Sequence, residues 1–283
     1  MGDLEKDTAL EPVADGRYTA ELREDWNIWG PNGGYVASVA LRAAGLTTGR
    51  ARPASIVAHF LGVAAFDRVN VDVAVLRGSR FATSARVSIT QGGRPVLEAL
   101  VWGVDPGGAA LEHDIAPAPE VPPPSEVPSW EERMADVDPA DRPPFRFWDN
   151  IEHRPLQWRD DWPPPEPASP EGRWWFRFRP TPLFDDPWVD ACRLLIPVDT
   201  MGWPAAFPAH AHVDPPEVIA PTVDLSAHFH RPATGEEWLL CDAVSPVAAG
   251  GLVAATVRVW GRSGALLASG DQSMLCRPAP RTS

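Results

Sequence analysis

Apolar and polar positions along the chain change period several times, and the changes mark out its elements. Alternation with a period of two predicts strands at 17–22, 55–63, 69–76, 81–90 and 96–104. Between the first two, the run from Gly33 to Ala44 is apolar and rich in small residues, which predicts a helix. Gln91-Gly92-Gly93-Arg94 joins the last two strands with a hairpin turn signal. Past residue 172 the pattern comes round again. A strand at 174–178 is followed by a helix start at Asp186-Pro187, with aspartate as the cap and proline in the first turn. Strands follow at 223–230, 238–243, 252–260 and 265–275, the last two closed by Gly261-Arg262-Ser263-Gly264. Ala58-His59-Phe60 recurs as Ala227-His228-Phe229, and the closing hairpins fall about equally far downstream. The chain therefore reads as a duplicated unit of strand, helix and four strands. Two such units set side by side would continue one sheet and cover each other's edges.

Composition divides the chain the same way. A length of 283 residues accommodates two domains of ordinary size, ~100 to 150 residues each. The stretch from Val104 to Gly172 holds 16 of the 33 prolines, which break helices and remove ladder donors. It reads as a linker, giving units at 1–104 and 172–283 with a Pro/Trp-rich acidic connector at 105–171. Trp130, Phe145, Phe147, Trp148, Trp158 and Trp162 give that connector apolar area to pack onto the body. It also carries most of the charge: 16 Asp+Glu against 5 Arg and no Lys, or -11 of the total -13, leaving -2 elsewhere. That balance speaks against nucleic acid as a partner, while local arginines leave an anionic small molecule open. No stretch reaches the ~20 apolar residues of a membrane span, so no membrane insertion is expected. The acidic start, Met1 to Asp15, lacks the apolar core of a signal peptide, and the expected location is cytoplasmic. Cys192, Cys241 and Cys276 show no CxxC spacing and read as reduced thiols.

Several segments taken together resemble the acyl-CoA thioesterase II family. In the first half they are Trp29-Gly30-Pro31-Asn32-Gly33-Gly34-Tyr35, and Leu76-Arg77-Gly78-Ser79-Arg80-Phe81 leading into Ser84-Ala85-Arg86-Val87. In the second half they are Thr222-Val223-Asp224-Leu225-Ser226, Phe229-His230-Arg231-Pro232, Gly264 to Leu267, and Ala268-Ser269-Gly270-Asp271-Gln272. The resemblance covers both halves and not the linker. It implies an α+β double hotdog, two fused units each with a long helix packed on an antiparallel β-sheet. It also implies hydrolysis of acyl-CoA to free acid and CoA in lipid metabolism, without a cofactor, metal or acyl-enzyme. Carried over residue by residue, the family's water-holding set falls on Asp199, Thr222 and Gln272. Pairing into a homodimer of double hotdogs is implied by resemblance as well.

The chemistry is consistent from below. A thioester carbonyl yields to an oriented water if a carboxylate base is in reach and partly desolvated, so that its pKa rises toward working pH. Asp199 follows the apolar run 194–198, and Thr222 and Gln272 supply the polar atoms that orient a water. The amides of Gly33 and Gly34 at the first helix start are candidate oxyanion donors. Arg77, Arg80 and Arg86 are candidates to meet the CoA phosphates. Three departures from the family pattern stand out. Pro197 is expected to kink or end the helix two residues before Asp199. Leu225 stands where the family often has histidine. The first half has no acid at 30–34 and no glutamine at 99–101, which predicts one active site per chain.

Rival chemistries find less. The pairs His210/His212 and His228/His230 lack a third metal ligand, so no metal is expected. Neither a GxSxG elbow nor a nucleotide-binding glycine loop occurs. Asp224 and His228 share a strand face, as a hydratase pair would, in a sequence unlike a hydratase motif. The remaining alternative is a non-catalytic acyl-CoA or fatty-acyl binding protein whose Asp199 has lost competent geometry.

Overall fold

The computed structural model describes residues 1–107, 111–138, 142, 145–212 and 217–279. The first half contains α1 (Leu4–Asp7), β1 (Glu11–Ala14), β2 (Arg17–Glu21), α2 (Gly33–Thr48), β3 (Arg52–Phe60), β4 (Arg68–Gly78), β5 (Ala82–Gln91) and β6 (Arg94–Val104). The middle contributes α3 (Trp130–Arg133) and β7 (Ile151–Pro155). The second half contains β8 (Glu171–Phe178), α4 (Pro187–Thr200), α5 (Gly202–Ala206), β9 (Val218–Ile219), β10 (Thr222–Phe229), β11 (Leu239–Ala249), β12 (Leu252–Gly261), β13 (Leu266–Leu275) and β14 (Arg277–Pro278).

Twelve strands form one sheet in the order β1-β2-β4-β5-β6-β3-β10-β13-β12-β11-β8-β7, and β9 pairs with β14 apart from it. The order reads the same from both edges once β3 is matched with β10, β6 with β13, β5 with β12, β4 with β11, β2 with β8 and β1 with β7. The duplicated tripeptide lies at the centre of this symmetry. It matches Val57 with Ser226, and those two residues face each other across the β3–β10 junction, flanked by Ala58 against Leu225 and Ile56 against Ala227. Even an irregularity is copied: β3 slips register between Pro53 and Ser55, and β10 slips between Thr222 and Asp224. This is the expected pair of fused hotdog units with their sheets continuous.

The stretch expected to be a connector does more than connect. Its β7 is the outer strand of the second half, pairing along β8 as β1 pairs along β2. Residues 116–127 cover the outer face of that half, where Val127 packs with Trp175, Leu240 and Trp260, and Trp175 donates to Pro122 O at 2.9 Å. His153 is buried among Trp130, Trp148 and Phe176, and burial pushes its pKa down to about 4. Its ring is therefore neutral near pH 7.

Both long helices lie on the other face of the sheet, where one continuous core forms beneath them. They run antiparallel and very close, because glycines sit at the crossings. A Cβ on Gly34 would come 2.8 Å from Ile196 Cα, and one on Gly45 would come 2.5 Å from the Trp188 ring. Helix α2 is capped by the Asn32 side chain, which accepts from Tyr35 N, and ends at Gly49 in the left-handed region. It runs four residues past its expected end at Ala44. The strand expected at 238–243 likewise continues to Ala249, because Pro246 falls in a bulge between Val244 and Val247 where no ladder donor is needed. Pro197 does not end α4. The helix continues through Thr200, Thr200 Oγ1 donates to Ile196 O at 2.8 Å, and Met201 N donates to Pro197 O at 3.0 Å. Only the last turn lies beyond the proline, so one missing N–H is tolerated.

Candidate active site

The C-terminal turn of α4 meets the N-terminal turn of α2, bringing Asp199 from one half against Gly33 and Gly34 from the other. Asp199 is 6% exposed. Its Oδ2 accepts from Gly34 N at 2.7 Å and from Asn32 Nδ2 at 3.4 Å. Asn32 Nδ2 also donates to Thr200 Oγ1 at 3.0 Å. The other oxygen, Oδ1, is buried and accepts no hydrogen bond from the described residues. Burial pushes the Asp199 carboxyl up to about 6, against the opposing effect of the Gly34 amide. A carboxylate that is largely ionised at neutral pH and keeps a free oxygen can act as a proton acceptor.

Thr222 opens β10 and Gln272 lies on β13, on the sheet surface facing α4. The Thr222 hydroxyl donates to Gln272 Oε1 at 3.2 Å, and Gln272 Nε2 donates to Val198 O at 3.0 Å. The Val198 carbonyl thereby fixes which end of the Gln272 amide is the donor. The structure thus brings together the three polar residues singled out in the sequence, through contacts that join α4, β10 and β13.

Two residues of the cluster carried no signal as site residues. Asn32 looks like an ordinary helix cap, yet its amide reaches across to Asp199 and Thr200. Gly202, at the start of α5, lies against Gln272, where a Cβ would sit 2.2 Å from Nε2. Glycine there lets the Gln272 amide fit beneath the helix.

Other expected site residues sit differently. The Gly34 N–H is occupied by Asp199, so it is not free as an oxyanion donor; a main-chain amide lying against a carboxylate bonds to it. Gly33 remains open. It is half-buried, and a Cβ there would come 2.9 Å from both Asp199 oxygens, so glycine keeps the carboxylate uncovered. Arg77, Arg80 and Arg86 are not brought to Asp199. Arg80 sits in the β4–β5 turn, whose Ser79 and Arg80 carbonyls accept from Arg50 just past the C-terminal end of α2. Sixteen helical residues, about 24 Å, separate that end from Gly33. Arg77 belongs to the same turn region, pairing with Ser84, and Arg86 is exposed on the outer face of β5 between buried Ala85 and Val87. Arg277 lies on β14, where it pairs with Ile219 of β9. Asp224 and His228 alternate with buried Leu225 and Ala227, so they face away from the helices and Asp199.

Two family models match the chain, the acyl-CoA thioesterase N-terminal domain over residues 22–104 and the acyl-CoA thioesterase C-terminal domain over residues 117–276. No curated protein matches. Solved structures with the same fold include a conserved protein of unknown function with hot dog fold from Alicyclobacillus acidocaldarius, at 23% identity and TM-score 0.80, covering 98% of each chain. The tesB protein of Mycobacterium avium subs paratuberculosis is similar at 23% identity and TM-score 0.76, covering 97% of this chain and 98% of its own. An acyl-CoA thioesterase II from Mycobacterium marinum follows at 22% identity and TM-score 0.73, covering 98% of this chain and 99% of its own. At such identities these structures bear on the fold, and the family rests on the two domain models. Matched over both of its halves, the chain belongs to the acyl-CoA thioesterase family and is a thioester hydrolase built as a double hotdog.

Proposed function

We propose that the protein hydrolyses acyl-CoA to the free acid and CoA with a water activated by Asp199 and oriented by Thr222 and Gln272. The observation that carries this reading is the buried Asp199 carboxylate, with a pKa raised to about 6 and an Oδ1 that accepts no hydrogen bond from the described residues. Water donates one hydrogen to Oδ1, and the Thr222–Gln272 pair supplies its second contact. As the water oxygen attacks the thioester carbon, its proton passes to Asp199. The carbonyl π electrons move onto oxygen, and the Gly33 N–H at the positive end of α2 donates to that charge. Collapse of the tetrahedral intermediate breaks the C–S bond, and the sulfur leaves with the electron pair and takes the proton back from Asp199. A thiol with a pKa near ~8.5 is a good leaving group, so one carboxyl at about 6 suffices as base and then acid.

The test measures CoA release with a thiol reagent across short, long and aromatic acyl-CoAs, for wild type and Asp199→Asn. We expect turnover by wild type and a loss of about 1,000-fold or more in the variant, with circular dichroism unchanged. Absence of turnover on every thioester, with thermal stabilisation by acyl-CoA retained, would overturn the assignment in favour of an acyl-CoA binding protein.

A further inference from the structure

Behind Asp199 the molecule is filled. Tyr35, Ile196, Val198 and Leu225 are each 0% exposed and belong to one continuous core, whereas Gly33 and Thr222 are half-buried. A substrate therefore reaches Asp199 from the Gly33 and Thr222 side, and its acyl group has to be received along the surface there. Five aromatic rings drawn from distant parts of the chain line up in that region. Phe145 stands 6.5 Å from Trp29, Trp29 stands 6.3 Å from Trp203, Trp203 stands 4.9 Å from Phe207, and Phe207 stands 6.1 Å from Trp162, all between ring centroids.

The row is tied to the catalytic cluster at two points. Trp29 lies three residues before the Asn32 cap, in a tight loop where Gly30 has φ 144 and donates to Asn27 Oδ1. Trp203 follows Gly202, which lies against Gln272, and packs on a small cluster containing Met274, the register partner of Thr222. The row is also open: Trp29 is 48% exposed and Trp162 56%. Such large apolar rings half in water gain by being covered, and T-shaped or tilted partners add to that gain when the covering group is itself aromatic.

We propose that this aromatic row is the acyl-recognition surface, with Trp29 and Trp203 as specificity-determining residues, and that it selects thioesters whose acyl group is a flat aromatic ring over those with a straight alkyl chain. A closed tunnel measures chain length by its depth. An open row of rings measures planarity and π contact, because a flexible chain loses rotamer freedom on lying flat while a rigid ring does not. The inference rests on the assignment of Asp199 as the catalytic centre, and its test separates the two.

Steady-state kcat/KM is measured for phenylacetyl-CoA and hexanoyl-CoA with wild type, Trp203→Leu and Trp29→Leu. The expected result is a preference of roughly tenfold for phenylacetyl-CoA that falls by about fivefold to tenfold in each variant, mainly through KM. Trp29 is the more exposed of the two, so its variant keeps the test valid if Trp203→Leu does not fold. Dissociation constants of both thioesters for Asp199→Asn, with and without Trp29→Leu, are measured by titration calorimetry. If wild type releases no CoA, the hydrolase assignment fails; an aromatic preference in binding that Trp29→Leu removes would still support the row. A wild type without aromatic preference, or a preference that both variants leave within twofold, overturns the proposal.

Discussion

The α2–α4 pair has two ends related by the internal two-fold, and among the described residues only one of them holds a buried polar cluster between the two helices. At one end Gly34 faces Asp199, with Thr222 and Gln272 on the sheet beneath. Following the symmetry of the caps, Asn32 with Asp186, and of the strand registers, these residues correspond at the other end to Trp188, Gly45, Pro53 and Val101. Every polar group of the first set is replaced by an apolar group or by glycine. The Trp188 ring lies over Gly45 and near Gly103, where added Cβ atoms would come within 2.5 and 3.1 Å of it, and its Nε1 donates to Arg50 O at 2.8 Å. One copy of a duplicated interface has kept a buried charge, and the other has filled the same place with an indole. A buried carboxylate costs stability and a buried indole contributes it, so the division gives one end to function and the other to holding the halves together.

That division can be broken from the silent end. Trp188→Ala removes a ring that is 7% exposed over two glycines that cannot fill the space. It is expected to cost about 3–5 kcal/mol of stability in chemical denaturation. Turnover per folded molecule should be unchanged, because the catalytic cluster lies the length of α2 away. A matching loss of kcat would mean that the ends are coupled.

At the active end the expected pattern is reversed. Gly33→Ala puts a methyl 2.9 Å from both Asp199 oxygens, at a position whose helical backbone accepts alanine. It is expected to lower kcat by about 100-fold, or ~2.7 kcal/mol, while thermal stability changes little. Activity close to wild type would show that the carboxylate works from another side.

The third effect is the linkage of Asp199 to stability. Its carboxyl is raised to about 6, so the folded state holds a proton at pH values where the unfolded chain has released it. Stability from this group therefore falls as pH rises from about 4 to 6, and above pH 6 the full cost, on the order of 3 kcal/mol at most, is present. Asp199→Asn should melt higher than wild type at pH 8, with the difference closing toward pH 4. For the same reason kcat/KM of wild type should rise with pH through about 6 and then level. Equal melting of both proteins at pH 8 would mean that Asp199 is more hydrated than its burial implies.

Much of this was legible in the chain. The run of small apolar residues at 33–44, the Asp186-Pro187 helix start, the paired hairpins and the copied Ala-His-Phe predict a duplicated helix-on-sheet unit because period and turn chemistry are local properties. The Asp199, Thr222 and Gln272 set was legible through resemblance. Strand β7 was not, since a five-residue strand ending in Pro155 within an acidic, proline-rich stretch becomes a strand only through pairing with β8. Where Arg77, Arg80 and Arg86 lie relative to Asp199 was not legible for a related reason: alternation gives the face of a strand and does not say which end of a helix lies nearby. The engagement of the Gly34 amide, the reach of Asn32 and the aromatic row all join residues more than 100 positions apart.

The sequence by itself determined the elements, their duplication and the polar residues available for chemistry, because each depends on neighbours within a turn or a strand. Only the tertiary structure decided that Asp199 would be buried against the N-terminus of the other half's helix, with one oxygen bound and one free. That outcome depends on how closely two helices approach, and Gly34 and Gly45, both on α2, set the distance.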